Sequence, residues 1–301
     1  MKYLKTMPFL LLCLFVSPSF ADNSTKDTPG KHLDIIQDGK VVARWMYAHD
    51  LSTKDSRHDT YKPYLHVMGP DGKTPITKGP GGKFTHHRGI FLGWNRIGFE
   101  GKKYDLWHMK TSEIIHKEIV SAESSDEKTT VKVKLHWMDS NDKVILEEIR
   151  TMVFDHTDKE AHLSVAFTCE LTAVTDKVEL NGDPEHAGFQ YRPTNEVAEN
   201  KSAQYLFHED GIDPKKDKDL PWVGLNYKAS GQSYSVLHMN HPTNPKGSIY
   251  SAYRDYGRFG SFPKVNIEKG NTLKLQYKIR VTAGEMPSRE TMAQLYQSYI
   301  K

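Results

Sequence analysis

The chain has 301 residues, 41 Lys and Arg against 38 Asp and Glu, and a formal net charge of +3. That balance lacks the basic footprint of a nucleic-acid binder. Two cysteines, Cys13 and Cys169, cannot staple a scaffold, so stability has to come from a hydrophobic core.

Residues 1–21 read as a secretory signal peptide. Lys2 and Lys5 are basic, an apolar run extends from Met7 to Val16, and Ser19 and Ala21 fit small-x-small cleavage. The run is well short of the roughly 20 residues of a spanning helix, which disfavours a membrane anchor. The mature chain would begin at Asp22, work in the periplasm or outside the cell, and engage neither membrane nor nucleic acid. It would keep 39 basic and 38 acidic residues and one cysteine. Cys169 alternates with Leu163, Val165 and Phe167, the pattern of a buried small hydrophobe rather than a nucleophile.

Polar residues 22–31 suggest a flexible leader, and 32–301 a single domain. From there the dominant period is two. Val41–Tyr47, the alternating Val131, Val133, Leu135 and Trp137, Val144–Phe154, Tyr234–Met239 and the alternating Leu273 to Val281 all read as strands. Turn signals separate them, among them Asp38-Gly39, Pro70-Asp71-Gly72 and Lys269-Gly270-Asn271. The stretches 52–88 and 207–222 have no periodicity; loops that long are usually functional or disordered. One helix is clear. Pro287-Ser288 caps it, and Met292, Leu295, Tyr296, Tyr299 and Ile300 form its apolar stripe, which is expected to plug one end of the β body. The fold class is all-β: a large antiparallel β-sandwich with a C-terminal helix. No alternation of β and α units supports a parallel sheet.

Four segments concentrate chemistry. In Phe84-Thr85-His86-His87-Arg88-Gly89, followed by the strand-like Ile90 to Trp94, an extended chain puts His86 and Arg88 on one face and turns His87 away. The glycines at 79, 81 and 82 are expected to keep the preceding loop mobile. In Tyr104-Asp105-Leu106-Trp107-His108, a short hairpin would return His108 to the first segment. In His186 to Arg192, one face carries His186, Gly188, Gln190 and Arg192. Such a row is expensive to bury without partners and suits the wall of a polar cleft, with Arg192 as a carboxylate or sulfate clamp. The fourth segment includes His238, His241 and the run Tyr253-Arg254-Asp255-Tyr256-Gly257-Arg258, where Asp255 either pairs with an arginine or serves acid–base or anion-binding chemistry. Metal binding competes for these histidines. There is no HExxH, paired CxxC or EF-hand loop, although a centre can still assemble across strands from His86, His87, His108, His186 or His241. No cofactor or metal is expected from spacing alone. The GxSxG, Walker and dinucleotide motifs are also absent.

These motifs together resemble an exported bacterial family described as methane oxygenase PmoA-like. Its marks here are Tyr61-Lys62-Pro63-Tyr64-Leu65, His86-His87-Arg88-Gly89, Asp105-Leu106-Trp107-His108, His186 to Arg192, Pro221-Trp222-Val223, His241-Pro242-Thr243-Asn244-Pro245 and Arg254-Asp255-Tyr256-Gly257. The resemblance implies a galactose-mutarotase-like supersandwich and a setting in glycan utilisation. The expected function is then a carbohydrate-active enzyme that abstracts a proton from an acidic or modified sugar or oligosaccharide, as a lyase, dehydratase, hydratase or epimerase. His86 or His186 is the expected base, Arg192 and Arg88 neutralise a carboxylate, and Tyr256 is the acid. Trp94, Trp107 and Trp222 are expected to stack on sugar rings. His108, Gln190, His241, Arg254, Asp255 and Arg258 complete the expected binding set. A non-catalytic sugar-binding module and a metal-assisted hydrolase are the alternatives.

Overall fold

Alternating apolar and polar residues build the long strands of this protein. On Lys128–Met138, for example, Val131, Val133, Leu135 and Trp137 are buried and the residues between them are half-exposed. The computed structural model describes residues 22–110 and 112–301, so the expected signal segment lies outside the described residues. In chain order the elements are β1 (Ser24–Thr28), β2 (His32–Gln37), β3 (Lys40–Met46), α1 (Lys54–Thr60), β4 (Tyr64–Val67), β5 (Ile90–Trp94), β6 (Ile97–Phe99), β7 (Lys102–Tyr104), β8 (Glu113–Ser124), β9 (Lys128–Met138), β10 (Val144–Asp155) and β11 (Leu163–Thr172). They continue with β12 (Val178–Leu180), β13 (Ala187–Tyr191), α2 (Glu196–Asn200), β14 (Gln204–Phe207), β15 (Trp222–Ala229), β16 (Gln232–Asn240), β17 (Ile249–Tyr250), β18 (Phe259–Phe262), β19 (Val265–Ile267), β20 (Thr272–Ala283) and α3 (Arg289–Ile300).

Two eight-stranded antiparallel sheets form the sandwich. The first runs β1-β2-β3-β4-β5-β13-β18-β17 and the second β14-β15-β16-β20-β11-β10-β9-β8; a four-stranded sheet, β19-β12-β6-β7, flanks them. This is the all-β sandwich with a C-terminal helix that the period of two implies. One continuous core joins the two large sheets. Phe189 on β13 meets Phe167 on β11 and stacks on Tyr277 of β20, each at 4.7 Å between ring centroids. Cys169 is fully buried on β11, and burial pushes its thiol up, so it is a core hydrophobe.

Two local expectations change. Residues 22–31 are no loose leader: Ser24–Thr28 pairs with β2 in full antiparallel register as the sheet's edge strand. The C-terminal helix does not plug an end of the sandwich; it lies on the outer face of the second sheet. Along β15, Val223, Leu225 and Tyr227 enter the main core. Trp222 and Gly224 therefore turn outward, opposite Met239 and Leu237 of β16. Met292 and Tyr296 of α3 cover Trp222, Leu237 and Met239, and burying each of those side chains contributes about 1.5–3 kcal/mol. Ser288 caps the helix as expected, accepting the Thr291 N–H.

The same alternation gives the first sheet its chemical face. On β4, β5 and β13, Leu65, Ile90, Leu92, Trp94, Ala187, Phe189 and Tyr191 point to the core. Their neighbours Tyr64, His66, Phe91, Gly93, Gly188 and Gln190 occupy the outer face. Loops close over that face and build the site.

Candidate active site

Three imidazoles converge on the outer face of the first sheet. One ring nitrogen each from His86, His108 and His186 lies within 4.8 Å of the other two. Ring centroids are 4.4 Å apart for His86 and His108, 4.8 Å for His108 and His186 and 6.4 Å for His86 and His186.

Each arrives on a tight turn. His86 sits in a turn in which the His87 N–H bonds to the Phe84 carbonyl at 2.9 Å, with Phe84 in the left-handed region at φ +56°. The extended conformation expected from His86 is therefore not adopted, and the sharing of a face by His86 and Arg88 does not arise. His87 is buried with its ring edge-on to His86, 4.4 Å between centroids, and contributes no nitrogen to the cluster. His108 follows an Asp105 turn: Asp105 Oδ1 accepts the N–H of Trp107 at 3.0 Å and of His108 at 2.8 Å. This turn rests on β5, where the Leu106 N–H bonds to the Trp94 carbonyl. Only glycine fits beneath it, because a Cβ on Gly93 would lie 2.4 Å from the Leu106 oxygen. His186 follows a second turn, in which Asp183 accepts the Glu185 N–H at 3.0 Å. Asn95, at the end of β5, fixes that turn by donating to Asp183 Oδ2 at 2.6 Å.

The two aspartates also hold the imidazoles. His108 Nδ1 is 2.7 Å from Asp105 Oδ2, and His186 Nδ1 is 2.9 Å from Asp183 Oδ1. Because a carboxylate only accepts, both Nδ1 atoms carry the proton and both Nε2 lone pairs are left free. His86 Nε2 is buried with no partner among the described residues. Burial, then the Lys62 charge, holds the His86 pKa at about 2. Burial also lowers His186, against the opposing pull of Asp183. Although burial pushes the Asp105 carboxyl up, the His108 side chain and N–H keep it below its ordinary value.

Around this cluster lies buried positive charge. Lys62, Lys78, Arg88, Arg192 and Arg258 are all at most 2 % exposed. Lys62 donates to the Trp107 carbonyl at 2.7 Å and Arg258 to Gln190 Oε1 at 3.0 Å, while Arg192 donates to the Tyr256 carbonyl at 2.6 Å. Arg88 donates to the Thr85 and His58 carbonyls, and Lys78 to those of Gly79 and Gly81. Their partners are neutral oxygens and aromatic faces: Arg258 lies over Trp107, Arg192 over Tyr256 and Lys62 over Phe91. None of the five makes an ion pair with a carboxylate among the described residues. Burial, then the Arg88 charge, pushes Lys62 well down and Lys78 to about 8. The Nε atoms of Arg88, Arg192 and Arg258 and the Nη2 of Arg192 are buried without partners.

The other sequence candidates divide. Trp107 belongs to the site, 6.0 Å from His186 between ring centroids, but it is fully buried and forms the floor under Arg258. Gln190 and Arg192 share the outer face of β13 as expected, yet loops cover them, so they form a buried layer and not a solvated wall. Arg88 spends both Nη groups, and Arg192 its Nη1, on backbone carbonyls of the covering loops. Tyr256 is buried against Arg192 and contacts Phe84. Arg254 pairs with Glu185 at 2.6 Å, beside His186; Asp255 is exposed and pairs with no arginine among the described residues. Gly82 packs against Asn195, where a Cβ would collide. Trp94 packs on Trp137 in the core and Trp222 lies under α3, so neither can stack on a ligand. His241 lies against Tyr299 of α3, outside the cluster. Asp105, Asp183 and Asn95 were missing from the expected site. The legible signal was Asp-x-x-His, which occurs at Asp105–His108 and again at Asp183–His186.

The fold and site define a large antiparallel β-sandwich carrying a histidine cluster on one outer face. Residues 32–297 match the profile of a family described as "Family of unknown function (DUF6807)", and the chain belongs to that family. This corrects the methane oxygenase PmoA-like assignment suggested by the motifs, which that match does not support. No curated protein matches the chain. Among solved structures it is similar to a putative kojibiose phosphorylase from the human microbiome, at 9% identity and a TM-score of 0.37, over 86% of this chain and 31% of that one. It is also similar to the Slr1438 protein from Synechocystis sp. PCC 6803, at 10% identity and a TM-score of 0.37, over 94% of this chain and all of the other. The chain thus spans about a third of the phosphorylase's length.

Proposed function

We propose that this protein is an exported enzyme acting on a carboxylate-bearing sugar or oligosaccharide by removal of the proton next to the carboxylate. Elimination, hydration and epimerisation all begin with that step. The observation that carries the reading is the layer of five buried cations on the face that carries the imidazole cluster, with Lys62 and Arg258 next to it, none of them ion-paired with a carboxylate among the described residues. Buried charge without a counter-ion is costly, and an anionic ligand removes much of that cost. It also fits the reaction, because abstraction α to a carboxylate builds negative charge that a preorganised cation stabilises. We assign this role to Arg258, which has one edge fixed by Gln190 and its Nε without a partner among the described residues. Phe84, 37% exposed at the rim against Tyr256, offers an aromatic face to a sugar ring. Export is the expectation from residues 1–21 and accords with a substrate met outside the cytoplasm.

The test is a screen of saturated and unsaturated uronate oligosaccharides beside their neutral counterparts, read by enol-ether absorbance and by mass. Turnover should be confined to uronates, and Arg258→Met should lower kcat/KM by about 10²–10³-fold. Equal turnover of neutral sugars, or full activity in Arg258→Met, would sink the proposal. So would failure of every uronate to react.

A further inference from the structure

The arrangement of His86, His108 and His186 is more specific than an acid–base site requires. We propose that these three imidazoles bind one divalent transition-metal ion of the zinc class and leave a further coordination position open on the side of Arg258. Three features carry this. First, the three nitrogens already lie within 4.8 Å of one another; tetrahedral zinc with bonds of about 2.0–2.1 Å needs about 3.3 Å, an adjustment of side-chain torsions alone. Second, two of the three donate Nδ1–H to a carboxylate on the same local turn, Asp105 and Asp183. That second contact is characteristic of metal-bound histidine: it sets the tautomer and aims the Nε2 lone pair at the ion. Third, His86 Nε2 is buried without a hydrogen-bond partner, and an ion would satisfy it.

The donor set also selects the ion. Three neutral nitrogens suit zinc, cobalt, nickel or copper, whereas magnesium and calcium demand oxygen ligands. Three protein ligands leave zinc a vacant position, as catalytic sites require. The surrounding charge fits as well: among the described residues the carboxylates bonded to the cluster are Asp105 and Asp183, each held by one of its ligands. An ion here assigns the histidines to holding an electrophile rather than to removing a proton. Binding itself does not depend on which substrate the enzyme takes.

The experiment uses the whole mature chain, purified without a polyhistidine tag, stripped with chelator and dialysed against zinc chloride. Elemental analysis should find one zinc per chain. Competition with a chromophoric chelator should show at least 100-fold weaker binding in His86→Ala, His108→Ala and His186→Ala. Asp105→Asn and Asp183→Asn, which keep the fold, should weaken binding about 10–100-fold, while His241→Ala binds as the wild type does. Zinc should raise the wild-type Tm and leave that of the triple alanine variant unchanged. Substoichiometric zinc in the stripped and reloaded protein would overturn the site, as would undiminished affinity in folded single variants. Because these measurements use no substrate, they fail separately from the uronate screen: zinc without uronate turnover removes only the proposed substrate, and uronate turnover with substoichiometric zinc removes only the metal site.

Discussion

Acidification should unfold this protein through buried histidines outside its imidazole cluster. His238 is fully buried between Phe189, Tyr250, Phe259 and Tyr277, with Nδ1 3.0 Å from the Tyr250 hydroxyl and Nε2 3.2 Å from the Phe189 carbonyl. His66 is buried on the outer face of β4, bonded to Thr77. Burial depresses their pKa values from 6.5 to about 4 and about 3 respectively. As pH falls, the unfolded chain takes up protons before the folded one. The stabilisation is therefore complete above about pH 7.5 and is lost as pH drops through 6.5 toward the folded values. At pH 5 each imidazole is about 1.5 units below its unfolded pKa and still neutral in the folded protein, which costs about 2 kcal/mol each and about 4 kcal/mol together. Urea denaturation in chelator, followed by fluorescence of the five tryptophans, measures this directly. Unfolding free energy should fall by at least about 4 kcal/mol between pH 7.5 and pH 5, since burial also lowers His86, His87 and His116, and His238→Phe should remove about 2 kcal/mol of that dependence. A change below about 1 kcal/mol, or the same slope in His238→Phe, refutes the assignment of these histidines as buried and neutral.

Three further outcomes follow from the packing. Glu148→Gln should destabilise by about 3–5 kcal/mol, because it strips the counter-charge from fully buried Arg150, held at 2.7 and 2.9 Å, and weakens the 2.8 Å bond from Trp137 Nε1. Thermal unfolding checks this, and replacing both members of the pair by methionine should cost less than the single change. Gly224→Val should cost about 1–3 kcal/mol, since its Cβ would come within 2.9 Å of Met292, and Met292→Ala should restore part of the loss in urea denaturation. Trp222→Leu should lower stability by about 2 kcal/mol and leave the KM of any uronate substrate unchanged, because Trp222 packs under α3 and not against ligand.

Strand periodicity, the helix cap and the buried cysteine were legible in the sequence because each is local. A period of two marks a half-buried strand wherever its partners lie, and Ser288 caps α3 with a residue three positions away. The two Asp-x-x-His turns were equally local, and each aspartate's hold on its histidine is written within four residues. Convergence was not. His86, His108 and His186 meet because β5 pairs with β13, placing Trp94 opposite Ala187, and because Gly93 lets the Asp105 turn lie flat on the sheet. Sheet order and register are long-range facts that no spacing encodes. The same limit explains the outer face of β13. Its polar row from His186 to Arg192 was readable as one face, but whether water or protein covers it depended on loops brought from residues 84–88, 105–109 and 253–258. The period of two likewise gave Trp94 and Trp222 a side of their strands, and only the packing of the second sheet and α3 showed that both sides were occupied.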